Sequence, residues 1–141
     1  MDKHVKSLFK PTMLLCVGFL FGCKMELPVS ELPSQLILET YRLSGELAES
    51  TTIGASDPVY QRTKELLEKE RTGWEKSYVS YKTGPYILRS QALIIRCYPD
   101  FMVVDSFDKN GSVSLRKNIP NLLQALGLSI AEQLGSDPSF R

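Results

Sequence analysis

The chain has 141 residues, enough for one domain with a substantial core and too few for two ordinary ones. At 43% hydrophobic and 23% charged it has the balance of a globular protein, not of a disordered or polytopic one. The net charge is +1, and setting aside Asp2, Lys3, Lys6 and Lys10 leaves 14 basic and 15 acidic groups, a body of net −1; no nucleic acid is expected as a partner, since that binding rests on clustered lysine and arginine.

Lys3, His4, Lys6 and Lys10 precede an apolar run over residues 13–21, a charged region followed by a hydrophobic one. Nine apolar residues rise only about 14 Å as a helix, less than half of a hydrocarbon core of roughly 30 Å, so the run is too short to span. It ends in Leu20-Phe21-Gly22-Cys23, which resembles the lipobox of bacterial lipoproteins: an aliphatic residue, a variable one, a small one, then cysteine. Phe21 is larger than the residue usual at its place. The resemblance implies diacylglyceryl transfer to the Cys23 thiol, cleavage before Cys23 and acylation of the new amino terminus. Several acyl chains, at about 0.8 kcal/mol per buried CH₂, make a lasting membrane anchor. Lys24, where an Asp favours inner-membrane retention in enterobacteria, is similar to the outer-membrane sorting pattern, with the domain facing the periplasm. The competing reading of residues 13–21 is a buried amino-terminal helix. The expected organisation is a signal peptide over residues 1–22, an acylated cysteine and tether over 23–34, and a single domain over 35–141.

Cleavage would remove His4, the only histidine. Without an imidazole there is no Ser-His-Asp or Cys-His pair and no histidine-ligated metal site. Cys16 would leave with the leader and Cys23 would carry lipid, so Cys97 would remain alone, unable to form an intramolecular disulfide or a thiolate cluster. In its apolar run it reads as a small buried hydrophobe.

Residues 24–34, with Pro28 and Pro33, read as an extended tether. Residues 35–47 fit either a strand or a helix, the strand being favoured, and the small residues of 50–56 read as a loop. Asp57-Pro58 starts a helix, with Asp57 as cap and Pro58 in the first helical position. Val59, Thr63, Leu66 and Leu67 form its apolar stripe, and Gly73 can adopt the left-handed conformation that ends it, giving a helix over about 58–72. Alternation over residues 74–82 then predicts a strand with Trp74, Lys76, Tyr78 and Ser80 on one side, broken by Gly84-Pro85. Residues 92–97 and 101–107 read as a hairpin. Asn110-Gly111 predicts a two-residue turn in which Asp108 faces Val113, Ser106 faces Leu115 and Asp105 faces Arg116 in a salt bridge. Leu122, Leu123, Leu126, Ile130, Ala131 and Leu134 give a final helix over about 120–134, ended by Gly135. The expected fold class is α+β: an antiparallel β-meander of three to five strands packed against two helices, preceded by the signal peptide.

The aromatic group Trp74, Tyr78, Tyr81 and Tyr86 is the candidate partner-binding site. It reads either as a recognition patch or as a seal of the helix-sheet junction, the seal being favoured. The stretch over residues 71–81 resembles a segment of short uncharacterised bacterial proteins and implies no activity. Glu68, Glu70 and Glu75 read as a solvated charged face and Asp105 and Asp108 as turn residues. No nucleotide, metal or nucleophile motif stands in the chain, and no cofactor is expected. The expected function is a non-enzymatic, membrane-anchored envelope lipoprotein that binds a protein partner, as an accessory subunit of an envelope assembly or a toxin-immunity protein. The alternatives are a carboxylate-dependent enzyme on cell-wall or carbohydrate substrate and a structural lipoprotein without a specific partner.

Overall fold

The computed structural model describes residues 24–129. The expected signal peptide, the acceptor Cys23 and residues 130–134 of the expected last helix lie outside them.

Among the described residues, seven strands form one antiparallel sheet: β1 (Gln35–Tyr41), β2 (Leu47–Gly54), β3 (Glu75–Lys76), β4 (Tyr86–Arg89), β5 (Leu93–Cys97), β6 (Phe101–Asp108) and β7 (Gly111–Asn118). Their order across the sheet is β2-β1-β4-β5-β6-β7-β3. Only β4 to β7 run as a meander in chain order. The helices are short, α1 (Pro58–Lys69) and α2 (Leu122–Leu126). This is a mostly antiparallel sheet with two helices, in keeping with an α+β class but with more strands than the three to five expected.

Two strands account for most of that excess. The small polar residues of β2 had suggested a loop, yet β2 is an edge strand on which only Ile53 is buried. Its side chains record solvent on both sides, so its backbone pairing with β1 leaves no hydrophobic alternation to read. In β4 the reverse holds: Tyr86, Ile87 and Leu88 are 2%, 5% and 0% exposed, covered on both faces, and again nothing alternates. The expected strand over residues 74–82 shrinks to the two residues of β3, because segment 77–85 leaves the sheet edge after the Ser77 amide bonds the Ser114 carbonyl. The favoured strand reading of residues 35–47 agrees with β1.

Helix α1 begins as its local signals require. Asp57 Oδ1 accepts from the amides of Val59 (2.7 Å) and Tyr60 (3.4 Å), and Pro58 occupies the first turn. Tyr60, Thr63 and Leu67 face the core, and the buried Thr63 hydroxyl is satisfied by the Val59 carbonyl at 2.8 Å. The helix stops at Lys69 rather than Thr72. The carbonyls just past its end find other donors: Trp74 Nε1 bonds the Glu70 carbonyl and the Leu27 amide bonds the Arg71 carbonyl. Helix α2 is ended by Gly127 at φ +72°, whose amide returns to the Gln124 carbonyl, not by Gly135 as expected.

The register divides the side chains into two faces. Leu38, Leu88, Ile95, Val104 and Leu115 lie opposite one another across five strands, beside the row Tyr86, Cys97 and Met102. That face packs with Tyr60, Leu67, Leu122, Leu123 and Leu126 of the helices and with Trp74. Residues 24–34, read as a tether, join the same core. Met25 makes a bridge to Trp74, and Leu27 is 2% exposed.

The β6–β7 turn departs from expectation by two residues. Asp108 pairs with Gly111, Ser106 with Val113 and Asp105 with Ser114, while Arg116 lies opposite Val103. A type I′ turn centred on Asn110-Gly111 needs positive φ at both residues, but Asn110 is not among the positive-φ residues and Gly111 alone takes φ +131°. The Asp108 carboxylate accepts the Asn110 amide at 2.7 Å, which favours Lys109-Asn110 as the turn. A shift of two preserves which face each residue occupies. It removes the expected Asp105–Arg116 bridge, and Asp105 pairs with Arg96 instead.

Candidate functional site

The second face of the sheet, away from the helices, carries the chemistry. One row across it reads Glu39, Ile87, Arg96, Val103, Arg116 and Glu75; the next reads Ile37, Arg89, Ile94, Asp105 and Ser114. Arginines thus stand between apolar residues, and each of two carboxylates is met diagonally. Arg89 bonds Glu39 at 2.9 Å, and Arg96 bonds Asp105, which is 8% exposed. Tyr41 donates to the same Glu39 at 2.7 Å, which, by hydrogen bonding to the carboxylate, raises its own pKa from the ordinary value.

Segment 77–85 crosses this face at the β6–β7 end. Its Tyr81 ring lies 5.7 Å from Phe101 and 6.0 Å from Tyr98, and Tyr98 and Phe101 stack at 4.2 Å. The Arg116 guanidinium sits 4.4 Å above the Phe101 ring, within cation–π range. Ser77 donates to the Tyr81 hydroxyl at 2.8 Å within the segment, and Tyr98 donates to the Lys82 carbonyl at 2.6 Å, tying the segment to the β5–β6 connection. Burial raises the Tyr98 pKa from its ordinary value. Beneath the arginines and rings, Val103 is 0% exposed although it faces away from the helices.

The four aromatic residues singled out from the sequence are therefore separated. Trp74 and Tyr86 are core residues; Trp74 is wholly buried, and the Tyr86 hydroxyl donates to the Ser129 carbonyl. Tyr81 is half-buried on the second face, and Tyr78 is 88% exposed beside Val79 at 67%. Trp74 and Tyr78 do not share a side, because β3 ends between them. The sequence reading missed Arg89, Arg96, Tyr98 and Phe101 and named Arg116 only as a partner of Asp105. For Arg89 and Arg96 the available signal was an arginine in an otherwise apolar strand, as in Leu93-Ile94-Ile95-Arg96-Cys97.

The other carboxylates are dispersed. Glu70 holds Lys117 at 2.5 Å, Asp108 caps the turn, and Glu68 lines with Glu31, Tyr60, Lys64 and Arg71 a groove of about 400 Å³ between α1 and residues 29–32. Among the described residues there is no cluster of histidine, cysteine and carboxylate groups suited to a metal ion, and no helix is long and apolar enough to cross a membrane. Comparison with known proteins finds no matching family model, no matching curated protein and no matching solved structure.

Proposed function

We propose that the chain is the precursor of an envelope lipoprotein, its residues 1–22 a signal peptide and Cys23 its acylated anchor, whose domain binds another protein through segment 77–85 on the second sheet face. The exposed pair Tyr78 and Val79 carries the binding part of this reading. An aromatic side chain 88% exposed and a β-branched one 67% exposed stand on a segment whose Tyr81 packs with Tyr98 and Phe101. Such a rigidly backed apolar tip loses little entropy on burial by a partner and is a suitable central anchor for an interface. A non-enzymatic role fits the sheltered carboxylates, since Glu39 and Asp105 are each held by an arginine. The sorting residue Lys24 supports an outer-membrane, periplasm-facing location.

A photo-crosslinking residue placed at position 78 in the native host is expected to give a discrete covalent adduct, while the same residue at Glu65 on the exposed side of α1 gives none. Tyr78→Ala is expected to abolish an adduct formed from position 79 and to leave thermal stability within about 0.5 kcal/mol of the wild type. Diffuse or equal labelling at positions 78 and 65 refutes the interface. Metabolic labelling with a fatty-acid analogue, read with the mass of the amino-terminal peptide, tests Cys23.

A further inference from the structure

We propose that the domain stands directly on the phospholipid leaflet that holds its acyl chains, with the β3 edge of the sheet against the headgroups. This rests on the acylation of Cys23 proposed above. It is carried by how little chain separates Cys23 from the fold. The Met25 amide donates to the Trp74 carbonyl at 2.6 Å and the Trp74 amide donates back to the Met25 carbonyl at 3.0 Å. Met25 thereby joins the backbone pairing at the β3 end of the sheet. Leu27 then donates to the Arg71 carbonyl at 2.8 Å and buries its side chain in the core. Only Lys24 lies between Cys23 and this pairing, and an extended chain covers about 3.6 Å per residue, so the anchor is held within roughly 7 Å of Met25. A free tether over residues 24–34 would have given roughly 36 Å of reach.

The surface at that place suits a leaflet. Lys24, Arg116 and Lys117 line a groove of about 300 Å³ with a single carboxylate, Glu75. Lys117 is engaged by Glu70 and the Thr72 carbonyl, Arg116 is laid over Phe101, and the exposed Glu26 is met by Arg71 at 3.5 Å, which leaves Lys24, with Lys76 exposed on the opposite face of β3, as the outward cations. Lysines close to a membrane surface are attracted to anionic lipid by about 1 kcal/mol each. Six strand intervals of about 4.8 Å put the β2 edge roughly 29 Å from the β3 edge. The sheet therefore has a near edge and a far edge relative to the lipid, with its two faces side-on.

The test uses full-length protein expressed with its own leader and reconstituted in vesicles of phosphatidylethanolamine and phosphatidylglycerol that contain a headgroup nitroxide quencher. A fluorophore is attached through Thr72→Cys, beside Gly73 at the near edge, or Ser50→Cys at the far edge, both exposed positions. Cys97 takes no label, being fully enclosed, with burial pushing its pKa up to about 12. The label at position 72 is expected to be quenched several-fold more than that at position 50, and a flexible Gly-Ser spacer of about eight residues between Lys24 and Met25 to remove most of the difference. Equal quenching at both positions in acylated protein that floats with the vesicles overturns the docking alone. Protein that does not float, with a bare Cys23 by mass, overturns the anchor and the docking with it.

Discussion

Asp105 is 8% exposed and faces Arg96 diagonally across β5 and β6. A charge-assisted hydrogen bond in such shelter contributes about 1.5–3 kcal/mol, far more than an open surface pair. Asp105→Ala is therefore expected to lower stability to urea by about 1–3 kcal/mol. In double-mutant cycles Asp105 should couple with Arg96 and not with Arg116, and the reverse result would restore the register expected from the turn sequence. Cys97 gives a second residue-scale prediction. Its thiol is raised from the ordinary 9.0 to about 12 by burial, so the folded state keeps its proton where the unfolded state releases it. Stability is undiminished below about pH 9 and falls as pH rises from 9 toward 12. Alkylation of Cys97 should accordingly track global unfolding, whereas rapid modification of native protein at pH 8 would show the thiol to be open. The bland reading of Cys97 as a small hydrophobe was available from its apolar neighbours alone.

At the scale of elements, the β6–β7 hairpin shows how a strong local signal can identify a turn and still misplace its register. Asn110-Gly111 marks the reversal, but the Asp108 side chain competes for the Asn110 amide and moves the turn back by one residue. Gly111 carries the only positive φ of the turn, with open space around its Cβ position, so the cost of Gly111→Ala is conformational rather than steric. That substitution should destabilise by about 1 kcal/mol or more, and Asn110→Ala by less than half as much, as measured by thermal melting. Equal costs would favour a turn with both residues left-handed. Helix α1 was legible at its start because Asp57 and Pro58 act within one turn of the chain. Its end was not, because the Leu27 amide that takes the Arg71 carbonyl lies more than forty residues away.

At the scale of the whole molecule, residues 24–32 are structural. Met25, Val29 and Leu32 pack against the core around buried Leu27. Leu27→Ala is expected to cost about 2–5 kcal/mol by urea denaturation, the range for deleting a large buried aliphatic group. No effect would return the segment to a tether. This packing also decides where an anchor at Cys23 would hold the fold: beside Trp74 and Lys76, at the opposite edge from β2. The segment's prolines had suggested extension away from the fold, but Met25 pairs at the β3 end of the sheet and residues 29–32 lie beside α1.

Much of the architecture was legible because it is written in local chemistry: the apolar runs of β5 and β6 on either side of Tyr98-Pro99-Asp100, the capped start of α1, the leucine stripe of α2 and the reversal near Gly111. The lipid anchor proposed at Cys23 rests on neighbouring residues in the chain, without reference to any fold. What only the tertiary structure decided are features set by distant neighbours. Edge strand β2 and doubly covered β4 lack alternation because it is their neighbours in the sheet that determine exposure. The aromatic group divided, Trp74 and Tyr86 to the core and Tyr78 and Tyr81 to the second face, because β3 ends after two residues and releases segment 77–85 across β6 and β7. A chain can state which side chains avoid water, but which surface they close against depends on pairings that form only when remote segments meet.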